Sequence, residues 1–204
     1  MNRPLEDIEE IAARFPRLGP GMKRHLILIG ALPGAGKTTV AEEIAGQTHG
    51  IHFDIDEVKR VVVASDKVAE EIDPPELRYR YYAETIRRLP ELFQRSPTNI
   101  VIIDETFHLQ EFRRMWDQAG RSLGLNIHWI EVTCTDEIVK DRLCIGKGRE
   151  KHILGDKAFP MYLRFKEAFE PFSRPRYVVD NTRELFPQVQ EIIENLGLDS
   201  TTLP

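Results

Sequence analysis

The run LPGAGKTT (residues 32–39) holds the residue types that can cradle phosphate. Gly34 and Gly36 permit backbone angles that other residues resist, so successive N–H groups can turn inward as an anion nest. Lys37 can reach the terminal phosphates of a nucleotide, and the Thr38 hydroxyl can ligate Mg²⁺. The candidate nucleotide contacts are therefore Leu32, Pro33, Gly34, Ala35, Gly36, Lys37, Thr38 and Thr39. The phosphate-binding pattern G-x-x-x-x-G-K-[ST] asks for Gly at position 31, where Ala31 stands. Alanine fits there provided its φ is negative.

Carboxylates follow at two further places. In HFDIDEVKR (52–60), Asp54 and Asp56 lie at or just past an apolar run, with Lys59 and Arg60 one turn on. Asp56 is the candidate general base for an attacking hydroxyl, and Asp54 the candidate helix cap. Lys59 and Arg60 can hold an acceptor. NIVIIDETF (99–107) is an apolar run ending in Asp104-Glu105. Asp104 is placed to hold Mg²⁺ with Thr38, while Glu105 can instead polarise a water. Of Arg113 and Arg114, in the helix that follows, Arg113 is the candidate reaching the acceptor cleft.

Three segments read in two ways. Residues 141–158, DRLCIGKGREKHILGDKA, have the composition of a cationic lid, with Arg142, Lys147, Arg149 and Lys151 as candidates, or of a solvated loop. DNT (180–182) can line an adenine pocket or form an Asx turn. ELRYRYYAETIRRLPELF (76–93) interleaves Arg with Tyr, as a clamp for single-stranded nucleic acid would. Its Leu77, Tyr81, Ile86, Leu89 and Phe93 follow helical spacing, which favours a core-facing stripe with the arginines in solvent.

The elements that must position these groups are visible as alternating patterns. Strand-like runs at 25–30, 51–54, 99–104, 127–133 and 176–180 alternate with helical patterns at 37–48, 56–64, 75–94, 109–123, 135–145, 159–169 and 184–196. Ile- and Val-rich runs separated by helices predict a parallel sheet covered on both faces. Ligands on such sheets bind at the carboxyl ends of the strands, where the glycines and carboxylates collect. Residues 1–22 read as an N-terminal helical arm, with a helix over 5–14, and residues 23–204 as one catalytic domain.

With 204 residues, 41% of them hydrophobic and 30% charged, the chain can bury one ordinary core. A formal net charge of -5 argues against a broad basic surface for duplex DNA. No apolar run approaches the roughly 18 residues of a membrane helix. The acidic N-terminus does not read as a signal peptide, and Cys134 and Cys144 read as free thiols of a cytoplasmic protein. The six histidines are scattered, without the spacing of a structural zinc site.

LPGAGKTT, the Asp56–Lys59 pair, VIIDETF and GDKAFPMYLRFKEAFEPF before RYVVDNT together resemble the small P-loop kinases known as predicted kinases or AAA-like ATPase domains. That group includes the kinase domains of polynucleotide 5′-kinases and is related to zeta toxins and chloramphenicol phosphotransferases. The resemblance covers about residues 24–182. It implies an α/β three-layer sandwich with a five-stranded parallel sheet in the order 2-3-1-4-5 and a helical lid. It also implies ATP, Mg²⁺ and phosphate transfer to a hydroxyl. Lys37 and Thr38 match the family's phosphate and magnesium positions and Asp56 its base. Lys59 stands where many members carry an acceptor-binding Arg. Arg142 and Arg149 both qualify as the lid arginine.

These residues predict an ATP-dependent phosphotransferase. The acidic charge favours a small-molecule acceptor over a nucleic-acid end. A nucleotide-dependent ATPase or switch without an acceptor is the competing class. The chain lacks the N-K-x-D signature of a GTP switch, and the intact Lys37–Thr38 pair disfavours an inactive nucleotide-binding module.

Overall fold

A computed structural model describes residues 7–62, 73–145 and 158–198. Strand β1 (His25–Gly30) leads into helix α2 (Lys37–Thr48), after a short α1 (Ile8–Ala13). Then come β2 (Ile51–Asp54), α3 (Asp56–Val62), α4 (Pro75–Arg95), β3 (Ile100–Glu105), α5 (Gln110–Ser122) and β4 (Asn126–Thr133). The chain ends with α6 (Asp136–Ile145), α7 (Ala158–Ala168), β5 (Tyr177–Asp180) and α8 (Leu185–Leu196). The five strands form one parallel sheet, as the alternating pattern predicts, in the order β2-β3-β1-β4-β5 that the family resemblance implies.

The sheet's two faces are set by side-chain alternation. Leu26, Leu28, Val101 and Ile103 point to one face, where Ile11 of α1, Tyr81 to Phe93 of α4 and Phe112 and Trp116 of α5 cover them. Ile27, Ile29, Ile100 and Ile102 point to the other, under Val40, Ala41 and Ile44 of α2 and Val189, Ile192 and Ile193 of α8. The result is a three-layer sandwich. A third, smaller cluster joins Leu32 to Val139 and Leu143 of α6 and to Ala158 and Tyr162 of α7. The N-terminal helix packs onto the domain: Ile11 is fully buried, and Arg14 pairs with Glu91 at 2.9 Å.

Helix α4 carries the predicted apolar stripe, with Tyr81, Ile86, Leu89 and Phe93 buried. The expectation that its arginines lie in solvent is corrected at Arg78, which is 3% exposed and ion-paired to Glu105 at 2.6 Å. Helical periodicity identifies the inward face but not which polar group waits across it.

Parallel register brings the carboxyl ends of three strands to one level. Asp54 of β2, Asp104 of β3 and Ile29 of β1 are mutual register partners. Whatever follows these residues in sequence shares one edge of the sheet.

Candidate active site

The phosphate-loop residues leave β1 at that edge. Ala31 is buried and keeps a φ outside the positive range, so the alanine at the first motif position is accommodated without strain. Gly34 and Gly36 take φ values of 77° and 93°, which L side chains resist. Space adds a second constraint at Gly36, where a Cβ would lie 1.9 Å from Asn181 Nδ2. The N–H of Ala35 closes a turn onto Leu32 O at 3.2 Å. From there α2 starts at Lys37, so its unpaired N–H groups and positive dipole end face the loop.

The loop is held from behind. Asn181 donates from Nδ2 to Ala35 O at 2.7 Å, and Arg142 donates to Gly34 O at 3.3 Å and to Ala35 O at 3.4 Å. Arg142 thus braces the loop's carbonyls. In DNT the Asx turn forms, because Asp180 Oδ1 accepts both the Thr182 N–H at 3.0 Å and its hydroxyl at 2.6 Å. The end of α6 through Ile145 and residue 158 are the described parts of the expected lid; Lys147, Arg149 and Lys151 lie outside the described residues.

At the end of β3, Asp104 receives the Thr38 hydroxyl at Oδ2 (2.9 Å) and His52 Nε2 at Oδ1 (2.6 Å). Burial alone would raise the Asp104 pKa, but His52, Lys37 and Thr38 outweigh it and hold the carboxyl below its ordinary range. A hydroxyl and an ionised carboxylate in contact are a donor set suited to Mg²⁺, which takes oxygen ligands and keeps several waters. Among the described residues, no group of three or more His, Cys, Asp or Glu could hold a metal alone.

On the other side of β3 the neighbouring Glu105 takes a different partner. Burial pushes its pKa up, but Arg78 and Lys37 prevail and keep it below the usual range. Arg78 also approaches Asp73 at 3.8 Å, and Lys59 pairs with the same Asp73 at 2.5 Å. Lys59, expected to face an acceptor, is therefore tied to a buried carboxylate. Arg60 is exposed, as is Thr39.

Asp56 begins α3, and its N–H is accepted by Asp54 Oδ1 at 2.8 Å. That is the capping role read for Asp54. Burial, then the charges of Glu105 and Asp54, push the Asp56 pKa up to about 6. A carboxylate so tuned can accept a proton near neutral pH more readily than an ordinary one.

Arg113, expected in the acceptor cleft, is corrected by its surroundings. It is fully buried and donates to four main-chain carbonyls: Phe107 O at 2.7 Å, His108 O at 3.2 Å, Glu170 O at 2.6 Å and Pro171 O at 3.0 Å. Its guanidinium also lies over Phe172, 3.9 Å from the ring centroid. Four hydrogen bonds from its guanidinium clamp the β3 exit turn onto the segment after α7. That turn includes Phe107, a buried non-glycine residue at φ 46°. Such strain persists only where neighbours over-determine it, and Arg113 supplies that.

Four site residues escaped the sequence reading: His52, Asp73, Arg78 and His108. His52 had a usable signal, since strand alternation places it on the same face as Asp54, the register partner of Asp104.

Comparison with known proteins finds a family and a shared fold. A family model described as "AAA domain" matches residues 26–154. No curated relative matches the chain. The fold is shared with a sugar kinase from Janibacter sp. HTCC2649 at a TM-score of 0.63 and 17% identity, covering 90% of this chain and 99% of that one. It is shared too with a gluconokinase from Sinorhizobium meliloti 1021 (TM-score 0.60, 16% identity, 87% and 99% covered). A third is the Mycobacterium tuberculosis APS kinase in complex with AMPPNP and APS (TM-score 0.58, 13% identity, 86% and 98% covered).

Proposed function

The chain belongs to the AAA domain family whose model spans residues 26–154, and on that premise we propose that it is an ATP-dependent kinase that phosphorylates a hydroxyl of a small molecule. The observation that carries the reading is the pairing of two differently tuned carboxylates across one sheet edge. Asp104 is held ionised against Thr38 beside the phosphate loop, while Asp56, raised to about 6, stands beyond Glu105. A nucleotide switch needs the first of these and has no use for the second. The kinases that share the fold support the same reading.

The loop amides and Lys37 bind the β- and γ-phosphates and fix the γ-phosphorus at the end of α2. Thr38 and Asp104 would hold Mg²⁺, which would supply neutralisation of phosphate charge. The acceptor hydroxyl forms a bond to the γ-phosphorus as the bond from that phosphorus to the β–γ bridging oxygen breaks. Asp56 takes the hydroxyl proton, and ADP leaves with the electron pair. Arg142 keeps the loop rigid through Gly34 and Ala35. Most of the rate comes from positioning and electrostatics.

Because the base works deprotonated, kcat/KM should rise with pH to a plateau, with its acid limb near 6. The reading is tested by titrating Mg·ATP into wild type and Lys37→Ala, and by measuring ATP turnover with and without acceptor candidates. We expect Lys37→Ala to lose at least about a hundredfold in ATP affinity or transfer rate. Equal ATP affinity and transfer in the two proteins would remove the phosphate-loop assignment. Steady hydrolysis that no acceptor redirects would favour the ATPase class.

A further inference from the structure

The acceptor side of the cleft contains buried polar atoms that the protein leaves without a partner. Among the described residues, Asp73 Oδ1, Arg78 Nε and His108 Nδ1 are buried and make no hydrogen bond. Their residues are 4%, 3% and 3% exposed. Buried polar groups in folded proteins are almost always satisfied, so three orphans in one neighbourhood call for a cause. They do share a neighbourhood. Arg78 lies 3.8 Å from Asp73 and 2.6 Å from Glu105, and Glu105 in turn acts on Asp56. The Phe165 ring of α7 joins the other pair, with the Arg78 guanidinium 5.4 Å from its centroid and the His108 ring edge-on at 5.2 Å.

The chemistry of these atoms narrows what would satisfy them. Asp73 Oδ1 can only accept, Arg78 Nε can only donate, and a neutral imidazole nitrogen does one or the other according to its tautomer. Burial and the Arg78 charge push the His108 pKa down to about 4, so the ring is neutral at pH 7. A hydroxyl both donates and accepts through a single oxygen, so neighbouring hydroxyls of one molecule can meet an acceptor and a donor side by side. The less exposed cations here are already matched: Lys59 is paired with Asp73 and Arg78 with Glu105. A carboxylate or phosphate on the acceptor would have to compete with Asp73 and Glu105 for both cations, beside the additional acids Asp54 and Asp56.

We propose that the acceptor is an uncharged polyhydroxylated molecule of sugar or alditol size, whose hydroxyls are bound by Asp73 Oδ1, Arg78 Nε and His108 Nδ1 beside Asp56. The inference rests on the kinase reading above and names the acceptor class. Asp73, Arg78 and His108 set specificity, while Phe165 packs against Arg78 and His108 and helps hold them in place.

The test is a transfer assay with γ-labelled ATP and Mg²⁺. The panel holds neutral hexoses, pentoses and alditols, each beside its aldonate or uronate, its amino sugar and its phosphate ester, with a 5′-hydroxyl oligonucleotide included. The expected result is a neutral member whose kcat/KM exceeds that of every charged counterpart at least tenfold. In His108→Phe and in Asp73→Asn, the KM for that acceptor should rise about tenfold while the Kd for Mg·ATP stays unchanged. Preference for an anionic or amino acceptor, or equal use of neutral and charged partners, overturns this inference and leaves the kinase reading standing. An unchanged acceptor KM in both variants overturns the assigned contacts. ATP hydrolysis with no acceptor of any class labelled overturns the kinase reading and this inference with it.

Discussion

Asp104 and Glu105 are consecutive residues at the end of β3, yet they belong to two different constructions. Asp104 has a hydrogen-bonding partner on each oxygen, Thr38 on one and His52 on the other, and faces a loop braced by Asn181 and Arg142. Glu105 meets Arg78, and around that pair lie Asp73, His108 and a strained Phe107 with buried atoms still unmatched. The phosphate half is complete in itself. The half around Glu105, proposed above to take the acceptor, keeps buried polar atoms of Asp73, Arg78 and His108 without a hydrogen bond. A cofactor common to many enzymes can be met by a self-satisfied site, whereas a particular acceptor is selected by groups that only it can satisfy.

The comparison can be broken most severely through the clamp that supports the acceptor half. Arg113→Met should remove the shared donor of four carbonyls and cost about 3–5 kcal/mol of stability. Denaturant unfolding measures this, and a loss below about 1 kcal/mol would show that the turn does not depend on the clamp. Next in size is His52→Gln, which keeps a donor but not the ring's reach to Asp104. Mg²⁺ dependence of nucleotide binding should weaken about tenfold, as supporting partners of metal ligands typically cost 10–100-fold. Unchanged Mg²⁺ dependence would mean that Thr38 alone orients Asp104. The smallest effect is expected from Asn181→Ala, which removes one donor to Ala35 O. With Arg142 still in place, ATP affinity should fall only about two- to fivefold, near 0.5–1 kcal/mol. A larger loss in a nucleotide titration would make Asn181 more than one of two braces.

The two halves were also unequally legible. LPGAGKTT announces itself because its chemistry lies within eight consecutive residues, and glycine spacing, lysine and strand-loop-helix context all agree. The parallel sheet follows from the alternating patterns, its strand order 2-3-1-4-5 from the resemblance to small P-loop kinases, and the helix α2 runs over Lys37–Thr48 as its periodicity indicates. That Asp56, just past β2, and Asp104 share one edge of the sheet is legible because parallel strands end together. Arg78 is not. Its helical face is readable, but its partner Glu105 lies 27 residues away, and nothing local distinguishes a buried arginine from a solvated one. Arg113 misleads for the matching reason: an arginine one turn into a helix after β3 looks free until Glu170 and Pro171 are seen beside it. Pairings across long separations are a property of the packed fold, and the acceptor half is made of them.

The most direct test of the account is Asp56→Asn, assayed for Mg·ATP affinity by titration and for phosphate transfer in a single turnover. Asparagine keeps the size and the α3 position but cannot take the hydroxyl proton. The account predicts ATP affinity within about twofold of wild type and transfer slowed about a hundredfold or more, the scale of general-base catalysis. Transfer at the wild-type rate would contradict it, because the raised carboxylate beside Glu105 would then have no part in the chemistry.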